Sequence, residues 1–187
     1  GSHVLLVMSR LDGQPLDQWL YGADEQVLKT ISVGQLLDGP MPGGRLASRC
    51  LGGACDVAAA LLRQMAPIFG PLSSIAYHRD VSAHNFLIRD GAEGQEMQFS
   101  VLDFGLAVRS RSWQEEWKTR NIAGDPRYFC PTAWMLLSHG HKYIQAHPDP
   151  QFRRQYRDRI DHYSLGILSL EVLFALWSGE ELRATSE

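Results

Sequence analysis

The chain has 187 residues, 44% of them hydrophobic and 21% charged, with 18 Lys+Arg against 21 Asp+Glu and a formal net charge of −3. That length and composition suit one globular domain or one large lobe with a buried core. The near balance of charge gives no general attraction to nucleic acid or an anionic surface, and no apolar run is long enough for a membrane span.

Val4 to Met8 is a short apolar run that predicts a buried strand, broken at Asp12-Gly13. Leu16 to Leu20 predicts the start of a short helix. Pro40 to Gly44 is a loop by composition. Val57, Leu61, Leu62, Met65 and Ile68 recur at helical spacing and predict a helix that ends near Gly70-Pro71. Phe86-Leu87-Ile88 and Phe99-Ser100-Val101-Leu102 flank a polar gap and predict a hairpin. Residues 106–130 show little periodicity and predict a long loop, in which Trp113 and Trp117 share one face if a helical turn forms. Residues 132–137 predict a helix, and residues 138–157 a solvated polar loop. Ile160 to Trp177 is apolar on every face and predicts a helix buried all round; Asp161, His162, Ser164 and Glu171 argue against its crossing a membrane.

Cys50, Cys55 and Cys130 are odd in number and irregular in spacing, which predicts free thiols and fits a reducing compartment. His139, His141 and His147 match no common metal-ligand spacing.

The chemistry-bearing residues lie in His78-Arg79-Asp80-Val81-Ser82-Ala83-His84-Asn85 and, after the hairpin, Asp103-Phe104-Gly105. Phosphoryl transfer needs a carboxylate to orient and deprotonate the attacking hydroxyl, and oxygen ligands for a Mg²⁺ that bridges nucleotide phosphates. Asp80 suits the base; Asn85 and Asp103 suit the metal. The five-residue step from Asp80 to Asn85 lets one loop present both, and the hairpin returns Asp103 beside them.

This pattern resembles the protein kinase family, H-R-D-x-x-x-x-N followed by D-F-G. Either motif alone is weak; the two in order, separated by an apolar hairpin, are specific. The resemblance implies an α+β, protein kinase-like fold: a mainly helical C-terminal lobe with a short β-hairpin. It spans the chain from hinge to central buried helix, with 138–157 as an insertion. Val4 to Leu11 is similar to the last N-lobe strand and hinge, which implies Met8 as gatekeeper, Ser9 and Leu11 meeting adenine through their backbone, and Leu87 as the floor of the adenine pocket. Gly124 to Pro131 resembles the family's G-T-P-x-Y-x-A-P stretch. Asp161 to Gly166 resembles its D-x-x-S-L-G, which implies Asp161 holding the backbone of His78 and Arg79. Arg79 is then the residue that meets a phosphate on the following segment, with Ser110, Ser112 and Thr119 as candidate acceptors.

Departures from the family pattern are visible. Ser82 stands where serine/threonine kinases carry Lys, His84 where tyrosine kinases carry Arg, Asp125 where a Thr is common, and Thr132 where a Glu ends the segment. No Gly-rich loop, strand lysine or partner Glu is found, so the N-lobe is expected to belong to the rest of a larger parent. The implied function is transfer of the ATP γ-phosphoryl to a protein Ser/Thr hydroxyl by that parent, with ATP and Mg²⁺ as cofactors and the isolated chain inactive. The alternatives are a pseudokinase scaffold, motivated by Ser82, Asp125 and Thr132, and a small-molecule kinase of related fold. Neither nucleic acid nor membrane is an expected partner.

Overall fold

The structure is a computed structural model and describes residues 10–22, 51–91 and 96–177. The expected strand Val4 to Met8, the loop Pro40 to Gly44, Met8, Ser9 and Cys50 lie outside the described residues.

The described fold is α+β, helices with small antiparallel sheets. In chain order, β1 (Gln14–Pro15) runs into α1 (Leu16–Tyr21), and α2 (Leu51–Leu72) is followed by β2 (Ala76–Tyr77). A 3₁₀ turn (Ala83–Asn85) opens the hairpin of β3 (Phe86–Arg89) and β4 (Gln98–Val101). A second turn (Phe104–Leu106) leads to β5 (Val108–Arg109) and α3 (Ser110–Glu116). A third (Pro126–Tyr128) precedes α4 (Pro131–Ala146), α5 (Pro150–Asp158) and α6 (Ile160–Leu176).

α2 follows from its i, i+4 stripe: Val57, Leu61, Met65 and Phe69 are all buried on one face. It ends at Leu72, one residue past the Gly70-Pro71 expected from sequence. The Ser73 and Ser74 hydroxyls then bond the Gly70 and Pro71 carbonyls, each at 2.7 Å. The principal partner of α2 is α6, whose Leu165, Leu168, Val172 and Leu176 complete the main core with Phe86, Ile88 and Trp19. α6 departs from the all-round burial its composition predicts. Leu170 is 48% exposed, and Ile167, Leu173 and Phe174 are half-buried, because none of the described residues covers that side.

β1, β3 and β4 form a three-stranded antiparallel sheet in the order β1-β3-β4. Pro15 stands opposite Leu87, and Phe86 opposite Val101. β2 and β5 pair separately, Tyr77 opposite Val108, and seat a second core around Trp113, Trp117, Tyr156 and Ile160. Both tryptophans are therefore packing residues.

Of two stretches expected as loops, 106–130 contains one short α-helix and 138–157 is largely helical. α3 lies inside 106–130. Within 138–157, α4 runs on to Ala146 across a break at Gly140 (φ 76°), and α5 begins at Pro150. The start signal was present: the Asp149 carboxylate accepts from the Gln151 amide at 2.7 Å, and proline is favourable at a first helical position. Burial of Ile144 and Tyr156 ties both helices to the second core. Among the described residues no helix is long and apolar enough to cross a membrane.

Candidate functional site

The site is built where irregular backbone meets the end of the β3–β4 hairpin. The Asp161 carboxylate, 2% exposed at the start of α6, accepts from the amides of His78 at 2.7 Å and Arg79 at 2.8 Å. Burial raises the pKa of Asp161 above the usual carboxylate range, and the two N–H donors oppose that rise. Arg79 has φ 70°, a left-handed conformation that costs a non-glycine residue about 1–2 kcal/mol; the bond to Asp161 offsets it.

His78 is fully buried. Its Nδ1 accepts from the Asp80 amide at 3.3 Å, which assigns the proton to Nε2, and Nε2 donates to the Leu102 carbonyl at 2.8 Å. The ring packs on Phe104, centroids 4.7 Å apart. One imidazole therefore joins the loop before β3 to the segment after β4.

Of the three expected oxygen-bearing residues, Asp80 and Asn85 are in direct contact. Asn85 Nδ2 donates to Asp80 Oδ2 at 2.8 Å and to the Asp80 carbonyl at 2.9 Å. The Leu102 amide bonds the Asn85 carbonyl at 2.8 Å, which sets Asp103, the next residue, at the same end of the hairpin. Asp103 is exposed and left-handed (φ 55°), and its Oδ1 accepts from Gly105 at 2.9 Å. The second oxygen of Asp80, Oδ1, accepts from the Asp125 amide at 3.0 Å. Gly124 makes this closure possible. It has φ 98°, and a Cβ there would overlap the Arg79 carbonyl oxygen.

The carboxylate of Asp125 is engaged by Arg127. It accepts from Arg127 Nε at 2.9 Å and Nη2 at 2.6 Å, a paired arrangement that offsets its charge. Thr132 is buried, and its hydroxyl bonds the Phe152 carbonyl of α5. Ser82 is buried at 2% and leaves the loop without a cation at that position.

Sequence reasoning missed a polar knot beneath the loop. Glu171, 7% exposed on α6, accepts from the hydroxyls of Tyr21 at 3.0 Å and of Tyr128. Tyr128 in turn accepts from the Ala83 amide at 3.1 Å. Burial pushes the pKa of Glu171 up, against the pull of the two hydroxyl donors. The available signal was one carboxylate inside an otherwise apolar helix, since such a group requires buried partners. His84 is exposed and bonds Asp17 of α1 at 3.0 Å.

The remaining expected residues are spread more widely. Leu87 is nearly buried at 8% in β3, and Leu11 is 46% exposed just before β1. Ser110 is buried, its hydroxyl on the Ser73 carbonyl at 2.6 Å. Ser112 is half-buried in α3, and Thr119 is exposed with its hydroxyl on the Glu116 carbonyl at 3.3 Å.

Among the described residues, no group of three or more His, Cys, Asp or Glu side chains is placed to hold a metal ion. One carboxylate, Asp103, with the Asn85 amide oxygen suits Mg²⁺, which keeps waters and substrate phosphates as its other ligands. No family model, curated protein or solved structure matches the chain.

Proposed function

We propose that the parent protein is a protein kinase that transfers the ATP γ-phosphoryl to a protein Ser/Thr hydroxyl, and that this chain supplies the base and the metal ligands. The observation that carries the reading is the Asp80 carboxylate held from both sides, by Asn85 Nδ2 and by the Asp125 amide. A carboxylate fixed in this way accepts the proton of an incoming hydroxyl as that oxygen bonds phosphorus and the bridging oxygen leaves with the nucleotide. Mg²⁺ when bound offsets charge on the phosphates, and Asn85 and Asp103 are the residues that would hold it. The kinase-like fold belongs to the same proposal.

A non-catalytic scaffold is the second reading, favoured by Ser82, which offers no positive charge to a phosphate. Transfer from labelled ATP by the full-length protein decides between them. The kinase reading expects transfer that falls about 10²–10⁴-fold in Asp80→Asn, the usual worth of a general base. Equal rates for Asp80→Asn and wild type would sink it, and absence of Mg-ATP thermal stabilisation would favour the scaffold. Residues 1–187 alone are expected to transfer poorly, since they contain no Gly-rich loop or phosphate-holding strand lysine.

A further inference from the structure

We infer that Trp113 is a positioning residue: it holds the Arg79 guanidinium, and so fixes segment 106–125 over Asp80 without any phosphate on that segment. This rests on the kinase reading above and adds the regulation of the same site.

Arg79 is 7% exposed, and a charge so buried requires partners. Among the described residues no carboxylate forms an ion pair with its side chain. Both oxygens of nearby Asp161 are used by the backbone amides of His78 and Arg79. The partners are neutral instead. Nη2 donates to the Asn121 carbonyl at 2.7 Å and Nη1 reaches the Leu106 carbonyl at 3.5 Å. The guanidinium lies over the Trp113 ring, 4.8 Å from its centroid, where the π face attracts a cation.

Trp113 is itself fixed. It is fully buried, its Nε1 donates to the Arg157 carbonyl at 2.9 Å, and Tyr156 meets it edge-on at 5.3 Å. The chain of contacts then closes on the base: Leu106, Trp113 and Asn121 meet the Arg79 side chain, Gly124 packs on its carbonyl, and Asp125 bonds Asp80. Two of the segment's three hydroxyls have other partners. Ser110 is buried on Ser73 and Thr119 bonds back to Glu116. Two carbonyl dipoles and an indole fix the plane of the guanidinium without cancelling its charge, since its Nε is buried with no partner among the described residues, and these contacts tie the segment to the loop through its own backbone and indole.

The test uses the full-length protein after phosphatase treatment, with two readouts: hydrogen exchange of residues 106–125 and phosphoryl transfer. Expected are protected amides in this segment, kcat unchanged by phosphatase, and kcat unchanged in Thr119→Ala. Trp113→Leu should lose the protection and lower kcat by about 10²-fold at unchanged KM for ATP, as for a misplacement near 1 Å. Trp113→Phe, which keeps an aromatic face, should recover part of it. Should Trp113→Leu fail to fold, Arg79→Lys carries the test: it keeps the charge without the plane, and should match Trp113→Leu. The inference is overturned if the segment is unprotected after phosphatase and ordered by phosphorylation of Ser112 or Thr119, or if Arg79→Lys equals wild type in both readouts. Protection that depends on Trp113 in a protein without transfer would remove the kinase reading and leave the clasp standing.

Discussion

The α2–α6 pair and the loop around Asp80 are neighbours built on opposite principles. The helices meet through apolar side chains spaced every three or four residues, so their cohesion is spread over many similar contacts. The loop is held by single hydrogen bonds between residues far apart in sequence: Asp161 to His78 and Arg79, Asp125 to Asp80, Tyr128 to Ala83. Stability is therefore a property of the first region, and the position of the carboxylate a property of the second. Substitutions should separate the two.

The largest loss of stability is expected from Leu168→Ala in the helix pair. Leu168 is fully buried, and truncation there should cost about 2–5 kcal/mol. Urea denaturation reads that loss, while transfer per folded molecule should hold near wild type; a parallel fall in both would break the separation. Asp161→Asn tests the other side. It replaces one acceptor oxygen by a donor that faces an N–H, leaving a buried amide unpaired at about 1–3 kcal/mol. Its smaller stability change should come with a larger loss of transfer, because Arg79 and Asp80 follow directly.

A pair of glycines sharpens the same contrast at about 1–2 kcal/mol. Gly124 and Gly140 both have positive φ, 98° and 76°, so alanine at either carries the left-handed cost of about 1–2 kcal/mol. Only at Gly124 does a Cβ also meet the Arg79 carbonyl and the Asp80 carboxylate; at Gly140 nothing lies within 4 Å. Gly140→Ala should lower Tm slightly and leave transfer intact. Gly124→Ala should displace Asp125 from Asp80 and abolish most transfer. Similar activity in the two variants would mean that closure over Asp80 is dispensable.

The same division explains what could be read from sequence. The α2 stripe, the β3–β4 hairpin and α6 follow from local periodicity, which is a property of consecutive residues. The helices α3 and α5 escaped because their burial is supplied from elsewhere: Trp113 packs on Tyr156, and Tyr156 on the second core. Asp149-Pro150 was a legible start, but one polar turn of sequence does not announce the core that stabilises it. In the site, the five-residue step from Asp80 to Asn85 was legible as a single loop with two oxygen groups. The Asp125–Arg127 pair was not, because Asp125 alone reads only as a departure from a common Thr, and nothing in the sequence shows that its carboxylate pairs with Arg127. Glu171 is the plainest omission, a carboxylate whose partners on α1 and the 126–128 turn are 150 and 43 residues away.

Glu171 also gives the smallest effect, one that is read by its pH dependence. Burial raises its pKa in the folded protein above the ordinary carboxylate value, about 4.3 in an unfolded chain. Between those two values the folded state binds more protons than the unfolded state, so stability falls as pH rises through the window and is regained as pH is lowered. Glu171→Gln removes the titration while keeping one oxygen to accept from a tyrosine and an amide to donate to the other. At neutral pH the variant should lie within about 1 kcal/mol of wild type, the scale of one net hydrogen bond. The Tm of wild type minus that of the variant should grow as pH falls from neutral toward about 4.3. Asp161 titrates in the same direction, but it is common to both proteins and cancels in the difference. A difference that stays flat would show the two tyrosine donors outweighing desolvation, and one that shrinks on acidification would show Glu171 stabilised as the anion, placing the knot with the hydrogen-bonded loop around Asp80 and not with the apolar helix that carries it.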